Sequence, residues 1–109
     1  MPFSFEHSVA VLGRTPLVLR ALLGGLDDFW TRNNYGEATF SPYDVVGHLI
    51  EAETSNWMAR LRIILRHGEA MPLPAFDRYG MYESSKGKSA DELLNQFASL
   101  RTASLAELT

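Results

Sequence analysis

Residues 68–88 constrain the fold of this chain more than any other stretch. They separate two helical segments, and Pro72, Pro74, Gly80 and Gly87 would interrupt any helix run through them. A connection of this length is uncommon in a small domain, and where it occurs it is functional or topological. Fully extended, it reaches roughly 70 Å at about 3.3 Å per residue. The helical segment before it, Pro42 to His67, spans roughly 39 Å at about 1.5 Å per residue. The connection can therefore return along that whole helix. A short hairpin would not need this, so the spacing predicts a crossover that leaves the flanking helices parallel.

Both flanking helices announce their starts. Ser41 suits the N-cap, Pro42 the first helical position, and Asp44 can complete a capping box. Val46, Leu49, Ile50, Trp57, Leu61 and Ile64 then share one side, with Asp44, Glu51, Ser55 and Arg62 on the other. Gly68 terminates the segment. After the connection, Ser89 and Glu92 form a second capping box. Leu93, Leu94, Phe97, Leu100, Leu105 and Leu108 then make an apolar stripe that is still running at Thr109.

Upstream, helix is expected from about Glu6 to Leu12. Gly13 can end it and Thr15-Pro16 start a new turn, or one helix can run on, kinked near Pro16. Leu17, Val18, Ala21 and Leu22 continue an apolar face up to Gly24-Gly25. One short turn is expected within Asp27 to Asn34, with Phe29 and Trp30 packing inward. Extended backbone is expected only near Ala38 to Phe40.

A chain of 109 residues is a single domain, 1–109, and its apolar and charged content is that of a globular protein. A net charge of −3 and the lack of any Lys/Arg run give no footprint for nucleic acid. With no cysteine there is no disulfide, thiolate ligand or thiol nucleophile. The N-terminus lacks the pattern of a signal peptide, and no apolar run is long enough to cross a bilayer. The expected location is cytoplasmic, with no membrane partner.

His48 is the candidate that matters most. It sits about two turns into the long helix, at the border of the apolar side, in line with Ala52, Ser55 and Ala59, whose small side chains leave space beside its ring. An imidazole so placed is either a packed core residue or a metal ligand. Glu51 is near enough to share a metal with it, although a solvated glutamate is the simpler reading. His67 lies roughly 28 Å away along the same helix and suits a helix C-terminus instead. Nothing fixes His7 near His48.

Glu53 and Arg60 fall toward the apolar flank, which points to interhelical structural pairing; contact with a substrate anion is the other reading for Arg60. Phe29, Trp30, Phe40, Trp57, Phe76, Tyr79 and Tyr82 are either core or the lining of a small-molecule pocket. In the second case the long connection, with Phe76 and Tyr79, acts as a lid. Neither a Ser-His-Asp arrangement nor a phosphate loop is present.

These residues together resemble the DinB/YfiT superfamily. The likeness rests on Arg14-Thr15-Pro16, on Ser41-Pro42 before Val46-Gly47-His48-Leu49, on Trp57 and Arg60, on Phe76-Asp77, and on Ser89 to Arg101. The fold it implies is an all-α four-helix bundle with a long crossover between helices two and three. It also implies a divalent metal, nickel or zinc, held by three histidines. One lies on the second helix, where His48 matches; the other two form a His-x-x-x-His pair on a fourth helix. This sequence departs from that pattern: it has no such pair, and its third long helix is running at Thr109, so a fourth helix is expected to be absent. The implied activity is that of a metal-dependent transferase or hydrolase acting on a small molecule, here with an incomplete ligand set. The alternative is a non-catalytic helical domain for dimerisation or partner binding. Three helices with broad apolar faces leave a groove, and a homodimer is the expected way to cover it.

Overall fold

The computed structural model describes residues 2–109, and among them it contains helices and no strand. Six helices follow one another: α1 (Phe5–Leu23), α2 (Asp28–Thr31), α3 (Pro42–Ser55), α4 (Trp57–His67), α5 (Met81–Ser84) and α6 (Ala90–Leu108). No helix of the described residues is long and apolar enough to cross a membrane.

Serines start the main elements. Ser4 accepts the amide N–H of His7, and Ser41 accepts that of Asp44 at 3.1 Å. Asp44 closes the capping box by accepting the Ser41 N–H at 3.0 Å. Ser89 accepts the Glu92 N–H at 3.1 Å, but Glu92 does not return the bond, so only half of the expected second box forms. Each such cap is worth about 1 kcal/mol.

Hydrogen bonds along the helices give their directions. At the start of α3, the buried Tyr43 hydroxyl shares its proton between the carbonyls of Ser85 and Lys88, at 2.6 and 2.7 Å, just before α6 begins. Midway, Glu53 meets Arg101. At the far end, Arg62 of α4 meets Glu107. Start faces start and end faces end, so α3–α4 and α6 are parallel and residues 68–88 do cross over. The Arg62–Glu107 pair lies at the surface, each side chain about half exposed. Its hydrogen bonds hold the Glu107 carboxyl below the ordinary carboxylate range and the Arg62 guanidinium above its own, but water and salt screen such a pair heavily.

α1 runs the other way. Its C-terminal Gly25 N–H donates to Asp91 near the start of α6, and Arg20 donates to Asn95 a turn later. The core lies between α3 and α6 and consists of Tyr43, Val46, Ile50, Leu93, Leu94 and Phe97, with Leu19, Leu23, Leu49 and Leu100 against it. α1 supplies no fully buried residue. It packs on α6, as α3 does, yet α1 and α3 touch each other little. A groove therefore runs between them with α6 as its floor.

Of the two alternatives open for the first segment, the structure takes the single helix: α1 runs on with Pro16 inside it, and neither Gly13 nor Thr15-Pro16 marks a boundary. Two local outcomes differ from the sequence expectation. The long second helix is two helices, broken at Asn56, where φ and ψ are −110° and −91°. The cause is the run Thr54-Ser55-Asn56. Thr54 Oγ1 donates back to the Ile50 carbonyl and Ser55 Oγ to that of Glu51, and such back-bonding bends helices. The break rephases α4: Met58 is buried, whereas Ile64, expected on the packed side, is exposed. Phe29 and Trp30 do not pack inward. They are 65% and 62% exposed and meet only edge to face, 5.1 Å between centroids.

The crossover is anchored by α5, which lies directly on α3. Gly47 makes this approach possible, because a Cβ there would sit 2.5 Å from Ser85 Oγ and 3.0 Å from Met81 Cβ. Met81 is itself buried, so it has little room to retreat. Gly47→Ala is expected to destabilise the fold by about 1–3 kcal/mol despite alanine's better helix propensity. Urea unfolding measures this, and an unchanged or raised midpoint would show that α5 does not press on α3.

Candidate functional site

His48 is half-buried on α3. Its ring lies between Phe40, 5.8 Å away just before α3, and Phe76, 5.6 Å away on the crossover. Behind Phe40 stand Tyr79 and Tyr82, each edge-on to it at 6.3 and 6.1 Å and stacked on one another. Four of the seven aromatics singled out in the sequence thus gather around or behind His48, and the crossover supplies three of them. Phe29 and Trp30 lie apart, and Trp57 belongs to a different cluster.

The Nδ1 atom of His48 is buried and has no hydrogen-bond partner. The accessible edge of the half-buried ring is therefore the Nε2 edge. Glu51 does not turn toward it; its carboxylate accepts the Ser84 hydroxyl at 2.6 Å and ties α3 to α5. Arg60 does not pair with a carboxylate either, and donates instead to the Pro74 carbonyl at 3.2 Å. His7 is an exposed residue near the start of α1, and His67 ends α4.

A second cluster lies in the groove between α1 and α3. Arg101 of α6 donates through Nε and Nη2 to Glu53 Oε1, at 3.0 and 2.6 Å, and Trp57 Nε1 donates to the same oxygen at 2.7 Å. The side chains of Arg101 and Glu53 are 9% and 2% exposed. Glu53 Oε2 is buried and accepts nothing. The guanidinium's third bond goes from Nη1 to the Leu12 carbonyl of α1 at 2.9 Å. That carbonyl would ordinarily accept the N–H of residue 16, but residue 16 is proline and has none. Arg101 thus supplies the donor that Pro16 removes, which is how α1 passes through a proline unbroken.

The sequence points to an interhelical partner for Glu53 but not to which residue it is. Arg101 carries a signal of its own: with Leu94, Phe97, Ser104 and Leu108 it keeps a 3-4-3-4 spacing on the core-facing side of α6. A charge in that register requires a buried counter-charge.

The metal implied by the family likeness can be tested against these residues. A usable centre needs about three protein ligands, and a ligating histidine commonly donates its other N–H to an acceptor that fixes the ring. Among the described residues, no group of three His, Asp or Glu side chains converges, and His48 Nδ1 meets no acceptor. The described residues supply one donor and do not fit a complete centre.

The fold is thus an all-helical bundle with a parallel crossover pair and a histidine on α3 under the crossover's aromatics. The sequence profile of the DinB superfamily matches residues 12–109, and the chain belongs to that superfamily. No curated protein matches it.

The groove network gives a quantitative expectation. Arg101→Met leaves Glu53 buried without its counter-charge and should cost about 3–5 kcal/mol. Pro16→Ala restores a backbone donor to the Leu12 carbonyl. In that background the loss on Arg101→Met should shrink by about 1 kcal/mol, the usual net worth of one hydrogen bond. A double-mutant cycle by urea unfolding reads this coupling; strict additivity would mean that Arg101 does not stand in for the missing N–H.

Proposed function

We propose that this member of the DinB superfamily binds and transforms a small molecule at the His48 face, in a metal-dependent transfer or hydrolysis reaction. One observation carries the reading: a half-buried imidazole on α3, walled by Phe40 and Phe76 beneath the crossover, with one edge accessible. Phe40 and Phe76 fix the ring's tilt and keep water from its inner edge. The outer edge is left to meet a ligand.

In this reading His48 is one ligand of a divalent metal, nickel or zinc, and its imidazole is the only protein ligand the reading names. The test is elemental analysis of the purified protein beside His48→Ala. Bound nickel or zinc is expected in the parent protein and should fall about tenfold or more in the variant, since lesser perturbations outside the ligand shell already cost 10–100-fold in affinity. Equal metal content in the two proteins removes His48 from any centre.

A second reading, a helical domain that pairs with its own kind, is favoured by the outer face of α1. Val11, Val18 and Leu22 are 66%, 54% and 64% exposed there. With Thr15 they repeat at a 4-3-4 spacing, the seam that an identical helix can match about a two-fold axis. Sedimentation equilibrium is expected to show a dimer that Val18→Lys converts to monomer. A parent chain that stays monomeric at every concentration would end this reading.

A further inference from the structure

The first part of the crossover is barely attached to the bundle. From Gly68 to Ala75 every residue is exposed, and Phe76 is the first side chain to turn inward. Its ring lands on His48, 5.6 Å between centroids. The Ala70 N–H closes a turn on the His67 carbonyl at 3.0 Å, and the Gly80 N–H closes another on the Asp77 carbonyl at 3.3 Å. Between those turns, one hydrogen bond reaches the described backbone, from Arg60 Nη1 to the Pro74 carbonyl at 3.2 Å. A ring and a single bond therefore hold residues 71–76 in place.

The stretch is stiff, because Pro72 and Pro74 each fix φ near about −65°. It begins at Gly68, whose φ of 56° and ψ of −127° suit glycine and few other residues. The two ends are unequal. Downstream, the Tyr43 hydroxyl bonds two carbonyls, and the buried Met81 is packed against Gly47. Upstream, the bond of Arg60 lies at the surface, where water competes for donor and acceptor alike. When the crossover yields, it yields between Gly68 and Asp77, and what it uncovers is His48.

We propose that residues 71–76 are a gate over His48, with Phe76 as its plug and Arg60 as its latch. Release of the Pro74 carbonyl lets the stiff strap swing out and lifts the Phe76 ring off the imidazole. Re-forming the bond seats the ring again. Arg60 is a positioning residue, acting on His48 only through the strap. As control of a small molecule's entry, the gate rests on the reading of His48 as a binding site; the motion itself does not.

Diethyl pyrocarbonate, which acylates accessible neutral imidazoles, reads the motion. The exposed His7 and His67 are internal references. Peptide mass spectrometry gives the rate at His48 relative to theirs, on the full chain treated with EDTA so that no metal masks the ring. The open edge of the seated ring sets a basal rate. Arg60→Met keeps the side-chain stem and removes the donors. It is expected to raise the relative rate at His48 about two- to fivefold, the upper figure being the population shift that one hydrogen bond is worth. Arg60→Lys still offers a donor to the Pro74 carbonyl and should return the rate to that of the parent. Pro72→Gly, at an exposed position outside both contacts, loosens the strap and should raise the rate about twofold. Hydrogen-exchange protection of the α3 amides should stay unchanged throughout, whereas a merely structural Arg60 would lower it together with the protection of His48. The gate is overturned if Arg60→Met leaves the His48 rate unchanged, if Arg60→Lys does not restore it, or if the rise comes with lost α3 protection. Should Arg60→Met not fold, an unchanged rate in Pro72→Gly overturns it instead. The metal content of His48→Ala is a separate measurement, so either idea can fail alone.

Discussion

One guanidinium holds the three long elements in register. Arg101 reaches from α6 to Glu53 on α3 and to the Leu12 carbonyl on α1. It lies against two aromatic faces, Phe97 at 5.0 Å and Trp57 at 6.0 Å from their ring centroids. Buried ion pairs are often no better than apolar residues of equal volume, because the desolvation of two charges offsets their attraction. Here the comparison includes a third party. An apolar replacement of both partners would still leave the Leu12 carbonyl without a donor, since Pro16 cannot provide one. The fork of arginine satisfies a carboxylate and a carbonyl in two directions at once, which the single ammonium of lysine does not. Trp57 adds a second constraint. Its bond to Glu53 spans the break at Asn56, so the network also fixes how α4 leaves α3.

The crossover does for His48 what Arg101 does for the bundle. Parallel neighbours require a long connection, and this one returns over the outer side of α3. There it carries α5, which the bare backbone of Gly47 admits, and the rings of Phe76, Tyr79 and Tyr82. An antiparallel pair with a tight loop would have brought no residue to that face. The start of the crossover is tied by Arg60 to the Pro74 carbonyl, and its end by the Tyr43 hydroxyl to Ser85 and Lys88. Arg32 braces this end further, lying 3.9 Å over the Tyr43 ring and donating to the Lys88 carbonyl. The aromatic wall of His48 therefore hangs between two anchors rather than on a free loop.

Much of this was legible from residues alone, because it depends on local chemistry or on length. Ser41-Pro42-Tyr43-Asp44 encodes its capping box within four residues, and residues 68–88 encode a crossover by reach. The break at Asn56 was hidden because the apolar periodicity runs straight through it. What interrupts the helix is competition from the hydroxyls of Thr54 and Ser55 for its carbonyls, and hydropathy does not register that. Phe29 and Trp30 read as core on composition, yet α2 is a four-residue helix with too little length to turn both rings inward. The partner of Glu53 was out of reach for a different reason. The two residues are 48 positions apart in sequence, and only the parallel alignment of α3 with α6 sets them side by side. The unpartnered Nδ1 of His48 is less legible still, since it follows from what the crossover rings exclude rather than from what they contain.

Two buried side-chain atoms without partners, His48 Nδ1 and Glu53 Oε2, stand among the described residues. Their number is ordinary, for native proteins carry a few per hundred residues; their placement is not. Both belong to α3, and Leu49 and Ala52 lie between them on the helix surface. Each leaves about 1–3 kcal/mol of hydrogen bonding unclaimed. Were packing alone responsible, such atoms would be scattered, as each element settled its own compromises. Instead α1, α6 and α5 satisfy their polar groups with local caps and cross-helix bonds, and the deficit gathers on the helix that borders both the crossover cluster and the groove.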